Sequence, residues 1–193
     1  KKYKKSVTIF GSSVLPPNNE YCMKAERLSA RIAKDGYAIV TGGGPGIMQS
    51  CNKGAYEAGG QSVGLNIKLP YEATPNKYLT DHYVFYYFFS RKVVLSFAAE
   101  AYLFFPGGFG TLNEFFEIIT LIQTNRIPRV PLILVGPEFW NNFADVIKRV
   151  LLDQYKTIEQ NDFEIFTVTD DEDEILKIIT SSPIIETMPF IKK

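Results

Sequence analysis

The sequence predicts an α/β fold in which about seven parallel strands form one doubly wound sheet with helices on both faces. Two observations carry this. Short, almost wholly apolar runs alternate with longer amphipathic stretches along the chain, the pattern of strands buried on both faces and joined by crossover helices. Two of those runs also break into glycine turns that open directly into a helix, at residues 42–46 and 106–110.

Residues 7–11 read as the first strand and 21–34 as a helix stopped by Asp35-Gly36. Residues 37–41 form the second strand, a glycine turn follows, and 47–58 give a helix closed by Gly59-Gly60. The third strand, 61–66, completes a βαβαβ half. From 66 to 81 the pattern lapses into a loop containing Pro, Asn and Lys, long enough to be a lid or the wall of a site. Residues 82–87 give a further strand, 90–99 a helix, and 101–105 the strand that feeds the second glycine turn, whose helix runs on through 115–124. Residues 131–135, 138–152, 165–168 and 172–179 continue as strand, helix, strand and helix. The whole of 1–193 is expected to be a single domain, since 46% hydrophobic and 22% charged residues suffice for one full core.

Composition excludes several classes. A formal net charge of zero argues against a nucleic-acid surface driven by bulk positive charge, and Lys1-Lys2-Tyr3-Lys4-Lys5 reads as a solvated terminus. No apolar run is long enough to span a bilayer and no signal peptide is recognisable, so a cytoplasmic protein without membrane contact is expected. The chain opens on Lys1 rather than Met, and leading residues are expected to precede it. Cys22 and Cys51 lie far apart on predicted helices and His82 is the single histidine, so neither a metal site nor a disulfide framework is expected.

The chemistry is concentrated in Pro106-Gly107-Gly108-Phe109-Gly110-Thr111-Leu112-Asn113-Glu114. Glycines let the backbone approach an anion closely, and a helix start offers unpaired N–H groups and positive potential. Thr111, Glu114 and Glu117 follow at intervals of three and share one helix face. The turn at 42–46 repeats the layout, and Ser12 and Ser13 lie at the same sheet edge after the first strand. Two such corners suggest a phosphorylated ligand. The generic fingerprints fail: no Gly-x-x-x-x-Gly-Lys-Ser/Thr occurs, and neither turn reads Gly-x-Gly-x-x-Gly, with Gln49 or Asn113 in the third place. A nucleoside triphosphate on a P-loop and a dinucleotide are both disfavoured.

Gly42-Gly43-Gly44-Pro45-Gly46-Ile47-Met48, then Arg91-Lys92, then Pro106 to Thr111 with Glu114 resemble the lonely-guy family of cytokinin-activating phosphoribohydrolases. The similarity runs from Phe10-Gly11-Ser12-Ser13 to Trp140. It implies a Rossmann-like homodimer that hydrolyses the N-glycosidic bond of a nucleoside 5′-monophosphate, AMP-like or a cytokinin riboside 5′-monophosphate, to free base and ribose 5-phosphate, without a cofactor. It assigns Arg91 and Glu114 to a catalytic pair. Ser12, Ser13, Gly43, Gly44, Gly46, Met48, Lys92, Gly107, Gly108, Gly110, Thr111 and Glu117 are expected around the substrate. The family often carries a lysine decarboxylase label, but no Schiff-base lysine with a pyridinium partner stands out near Lys68 or Lys92. Phe89-Ser90 replaces the usual His-Glu before Arg-Lys, and Asn113 stands where an acid is common. The 69–79 loop and Ile122-Gln123-Thr124 are closer to the bacterial type of the family than to the plant enzymes.

Breaking a ribosyl C–N bond builds positive charge on the sugar, so a site needs an anion near the anomeric carbon, a placed water and a phosphate grip. Glu114 would activate the water or stabilise the sugar cation, Glu117 would bind ribose hydroxyls or hold the water, and Arg91 would fork onto phosphate or base. Each also has a structural reading: the glutamates as a solvated face or partners of Arg126, Arg91 as a salt bridge, Ser12 and Ser13 as caps, the glycines as tight turns. A nucleotide-binding sensor that keeps the cradle without turnover is the alternative from another class. Residues 83–89 read as core or subunit interface, and the surplus apolar faces of 115–124 are expected to bury against a second copy.

Overall fold

Most of the apolar runs become strands because both of their faces are covered, while the two edge strands stay partly exposed. The strands are β1 (Ser6–Phe10), β2 (Ala38–Thr41), β3 (Ser62–Ile67), β4 (Asp81–Phe85), β5 (Ala101–Phe104), β6 (Leu132–Leu134) and β7 (Phe166–Val168). The computed structural model describes residues 2–68, 74–97 and 99–184, and its strands form one all-parallel sheet in the order β4-β3-β2-β1-β5-β6-β7. This is the doubly wound α/β architecture expected.

The helices are α1 (Glu20–Lys34), α2 (Ile47–Glu57), α3 (Phe88–Phe97), α4 (Phe109–Gln123), α5 (Pro137–Val146), α6 (Gln160–Phe163) and α7 (Glu172–Ser181). Alternation along β1 sends Val7 and Ile9 to one face, where they meet Leu28 and Ile32 of α1, Cys51 and Ala55 of α2 and Ile175 of α7. Phe10 joins the other face, with Leu95 of α3, Phe115 and Ile118 of α4 and Trp140 of α5. There Phe104 packs edge-on to Phe115 and Trp140 at 5.7 and 6.3 Å between centroids, and the Trp140 indole N–H donates to the Phe104 carbonyl at 2.9 Å. Asn19 caps α1 by accepting from the Tyr21 N–H, and Gly54 lets α2 lie against the Glu26 backbone of α1.

Three departures from the sequence reading are physical. The helix expected over 138–152 changes hydrogen-bond register after Val146 and continues as a π-helix, Ile147–Gln154. A short helix, α6, held by a reciprocal capping box between Glu159 and Asp162, was not foreseen. α4 begins at Phe109, inside the glycine motif itself. Of the long loop, residues 69–73 lie outside the described residues, so its reading as a lid is left there. Among the described residues no helix is long and apolar enough to cross a membrane.

Candidate active site

Three strand ends converge at the carboxyl edge of the sheet. β1 leads into Gly11-Ser12-Ser13, β2 into the turn at 42–46 and β5 into the turn at 106–108. β1 lies between the other two, and its loop is clasped by both: the Ser12 N–H donates to the Pro106 carbonyl and the Ser12 carbonyl accepts from the Ile47 N–H, each at 2.9 Å. This is the switch point at which the crossovers leave for opposite faces, the usual place for a ligand on an open α/β sheet. A cavity of about 690 Å³ opens over it, walled by the three loops, the end of β3, the first turns of α4 and Phe88, Arg91, Lys92 and Leu95 of α3.

The two glycine turns differ in what occupies them. At the β2 corner a Cβ on Gly44 would lie 2.8 Å from Met48 Cε, one on Gly43 would meet the Asn66 carboxamide, and one on Gly46 would strike the backbone of Ser12 and Ser13. Gly43 and Gly46 also hold φ of +71° and +68°, where an L side chain is strained. A polar network fixes this corner. Thr41 Oγ1 accepts from the Gly43 N–H and donates to Asn52 Oδ1, while Asn76 returns from the long loop to bond Asn52 Oδ1 and the Gly43 and Gly44 carbonyls. At the β5 corner Gly107 gives way to the Thr111 side chain, but a Cβ on Gly108 or Gly110 would meet nothing within 4 Å. Neither has a positive φ, and no side chain caps α4. Open space therefore lies over the start of this helix.

The charged groups sit between the corners. Arg91 reaches across from α3 so that Nη1 lies 3.4 Å from where a Gly42 Cβ would be, with its guanidinium over the Phe88 ring at 5.7 Å; its Nε is buried without a hydrogen-bond partner. Glu114, in the second turn of α4, is buried and its Oε2 has no hydrogen-bond partner. Burial pushes its carboxyl above the usual carboxylate range, with Glu117 adding to the rise and Lys92 and Arg91 opposing it. Burial likewise holds the Arg91 guanidinium below its ordinary value, against the pull of Glu114. Lys92 bridges α3 to α4, its Nζ at 2.6 Å from Glu117 Oε2 and 2.7 Å from Asn113 Oδ1.

Of the residues singled out in the sequence, Ser12, Ser13, Gly44, Met48, Arg91, Lys92, Gly108, Gly110, Thr111 and Glu114 line the cavity. Gly43, Gly46, Gly107 and Glu117 stand behind its wall: the glycines make room for Asn66, Ser12 and Thr111, and Glu117 is engaged by Lys92 rather than by Arg126. Asn66 and Asn76 were missed. Both are buried, and nothing local in the sequence marks them. Cys22 and Cys51 are buried free thiols, with burial pushing Cys51 up to about 12, and His82 lies on β4 away from the cavity lining.

A family model described as possible lysine decarboxylase matches residues 48–179, more than half of the chain. The chain belongs to that family, the one that contains the lonely-guy proteins. It is 27% identical over 157 residues to a cytokinin riboside 5′-monophosphate phosphoribohydrolase of Rhodococcoides fascians, covering 79% of each chain. It is 31% identical over 135 residues to a probable enzyme of the same name from Oryza sativa subsp. japonica, covering 68% of this chain and 54% of that one. Among solved structures, TM1055 superposes with a TM-score of 0.69 at 28% identity, covering 91% of this chain and 98% of the other. The molybdenum cofactor carrier protein of Chlamydomonas reinhardtii, at 20% identity, TM-score 0.67 and coverage of 92% and 96%, shares the fold.

Within this lonely-guy family the two departures noted in the sequence have visible consequences. Asn113, in place of an acid, accepts a hydrogen bond from Lys92 instead of competing with Glu117 for its charge. Phe89 is exposed, and Ser90 donates to the Tyr87 carbonyl at the start of α3.

Proposed function

We propose that the chain is a nucleoside 5′-monophosphate phosphoribohydrolase, releasing the free base and ribose 5-phosphate from a substrate such as AMP or a cytokinin riboside 5′-monophosphate. One observation carries the reading: a buried carboxylate with a raised pKa, Glu114, shares a cavity with Arg91 and with a helix start whose glycines face open space. The names of the relatives agree with it. The 5′-phosphate takes the space over Gly108 and Gly110, meeting the N–H groups of α4 and the Thr111 hydroxyl. Arg91 forks onto the substrate, and its planar guanidinium orients the sugar. Glu114 accepts a proton from water as the water oxygen bonds to C1′ and the C1′–N bond breaks, its electron pair leaving with the base, which takes up a proton. Lys92 and Glu117 hold the wall between the two helices.

The decarboxylase label does not fit the cavity. Pyridoxal phosphate chemistry needs a lysine amine available to a carbonyl, and the one lysine among the lining residues, Lys92, is engaged with Glu117 and Asn113.

A homodimer in the cytoplasm is part of the same proposal, with its surface moved. Phe115, Ile118 and Ile122 of α4 are consumed by the protein's own core, so the surplus expected there is mostly absent. Exposed apolar side chains gather instead on β4 and α3 and between them, where Tyr86, Tyr87 and Phe89 are about 70% exposed, and Phe109 and Phe116 of α4 are exposed too. Of the run of residues 83–89 only Phe85 packs against the core; the rest is exposed, and the patch borders the cavity wall at Phe88.

The reaction is tested by incubating the protein with AMP and adenosine and following free adenine. Hydrolysis of AMP far above adenosine is expected, because phosphate binding is used at the sugar. Binding of AMP without release of adenine would favour a nucleotide sensor.

A further inference from the structure

Asn66, next to last in β3, stands on the strand three places across the sheet from the one that carries the open glycine corner. It is 8% exposed, it lines the cavity, and its Oδ1 is buried with no hydrogen-bond partner. The backbone at Gly43 is cut away to admit it, since a Cβ there would overlap the carboxamide, whereas Gly64 makes room chiefly for Leu79. An unpartnered buried acceptor costs stability, and a fold that clears a glycine for one has a use for it.

Position says which part of a ligand it meets. From β5, which carries the Gly108 corner, to β3 is three steps across the sheet, β5-β1-β2-β3, about 14 Å. A nucleotide whose phosphate lies over Gly108 and Gly110 and whose sugar lies at Arg91 extends its base toward that far end. A carboxamide there offers one acceptor and one donor side by side, the complement of the adenine edge formed by N6–H and N7. Hypoxanthine presents two acceptors on the same edge and cannot satisfy both.

We infer that Asn66 reads the base, its carboxamide accepting from the exocyclic amine and donating to the adjacent ring nitrogen of a 6-aminopurine nucleotide. This rests on the proposed function for the identity of the ligand. It assigns the specificity of the site to β3, away from the reacting carboxylate.

The test is calorimetric binding of AMP, IMP and ribose 5-phosphate to the parent, Asn66→Leu and Asn66→Ala, with thermal melting of each and adenine release in parallel. The parent should prefer AMP to IMP. Both variants should lose about tenfold in AMP affinity and most of that preference, while ribose 5-phosphate binds as before. Asn66→Leu should melt at or above the parent, since it fills the same space without a stranded acceptor. Unchanged AMP affinity in Asn66→Leu, or an equal loss for ribose 5-phosphate, overturns the assignment. A parent that binds ribose 5-phosphate and neither nucleotide also overturns it. A parent that binds AMP through Asn66 yet releases no adenine keeps the base reading and sinks the hydrolase.

Discussion

Gly43 and Gly46 sit against the protein's own atoms, whereas Gly108 and Gly110, in a turn of the same design, face nothing. Both turns follow a parallel strand, open a helix and lack a side-chain cap on it. At the β2 corner the missing side chains are explained by Asn66, Met48 and the Ser12-Ser13 backbone, so glycine is required there for the chain to close on itself. At the β5 corner Gly107 makes room for Thr111, but no backbone conformation and no neighbour requires glycine at 108 or 110. Gly108 is the cap residue before α4, a position that suits glycine, but inside the helix at Gly110 glycine is otherwise a loss, because alanine favours the helix. The difference teaches that equal motifs need not have equal roles: one corner is scaffold, and the other, under the proposed function, is the place of the phosphate.

The largest effect should come from the charged groups between the two corners. Glu114→Gln keeps the shape of the side chain and removes its anion, so kcat should fall by about a hundredfold or more. Its melting point should not fall at neutral pH. Glu114 has a raised folded pKa, so ionising it opposes folding: relative stability is present at low pH and is lost as pH rises through that value. Removing the charge recovers this loss at neutral pH and recovers nothing in acid. In the parent, activity should fall as pH drops through the same raised value, leaving the acid limb above the ordinary carboxylate range. Arg91→Ala should lose turnover comparably, and Arg91→Lys should restore it only in part. Near-parent adenine release by either variant would remove that residue from the mechanism.

The scaffold corner should answer in stability. Gly46→Ala combines a positive φ with a clash against Ser12 and Ser13, and should destabilise by about 3 kcal/mol, roughly 10 °C in melting temperature. A variant that melts like the parent would mean that the corner relaxes freely and that the contrast between the two turns is not physical.

At the open corner, Gly108→Val should lower the melting temperature only slightly, through the poorer cap that valine makes for α4, and raise KM for the nucleotide by about tenfold, since a Cβ there meets no protein atom and stands where the cavity binds. A fall in kcat at constant KM would point away from phosphate binding at this turn.

The sheet was legible because its inner strands, buried on both faces, leave uninterrupted apolar runs, and the number of strands and their parallel direction follow from that pattern with the crossovers, whereas their order across the sheet does not. The π-helix and α6 were not, because hydrogen-bond register and a capping box decide them rather than apolar spacing. The catalytic candidates Arg91 and Glu114 carried motif signals. Asn66 and Asn76 carried none: their surroundings depend on β3 lying beside β2 and on the long loop returning to the glycine turn, facts of topology that adjacent residues do not encode. The apolar excess of α4 was misread for a related reason. Phe115 has the rings of Phe104, Trp140 and Phe166 to pack against, and with Ile118 and Ile122 it is absorbed by the protein's own core.

Gly110→Ala is the smallest and sharpest test. Gly110 is the second residue of α4, exposed, with no neighbour in reach of a Cβ and no positive φ. If the protein alone chose this residue, alanine should be better, and the fold should gain up to about 1 kcal/mol from helix propensity and a less flexible unfolded chain. A gain in melting temperature together with a rise in KM would mean that glycine is held here against the interest of the fold, for close approach of the ligand. A gain in melting temperature with unchanged KM would place the phosphate elsewhere in the cavity, and a loss of stability would show that the corner is as filled as its counterpart after β2.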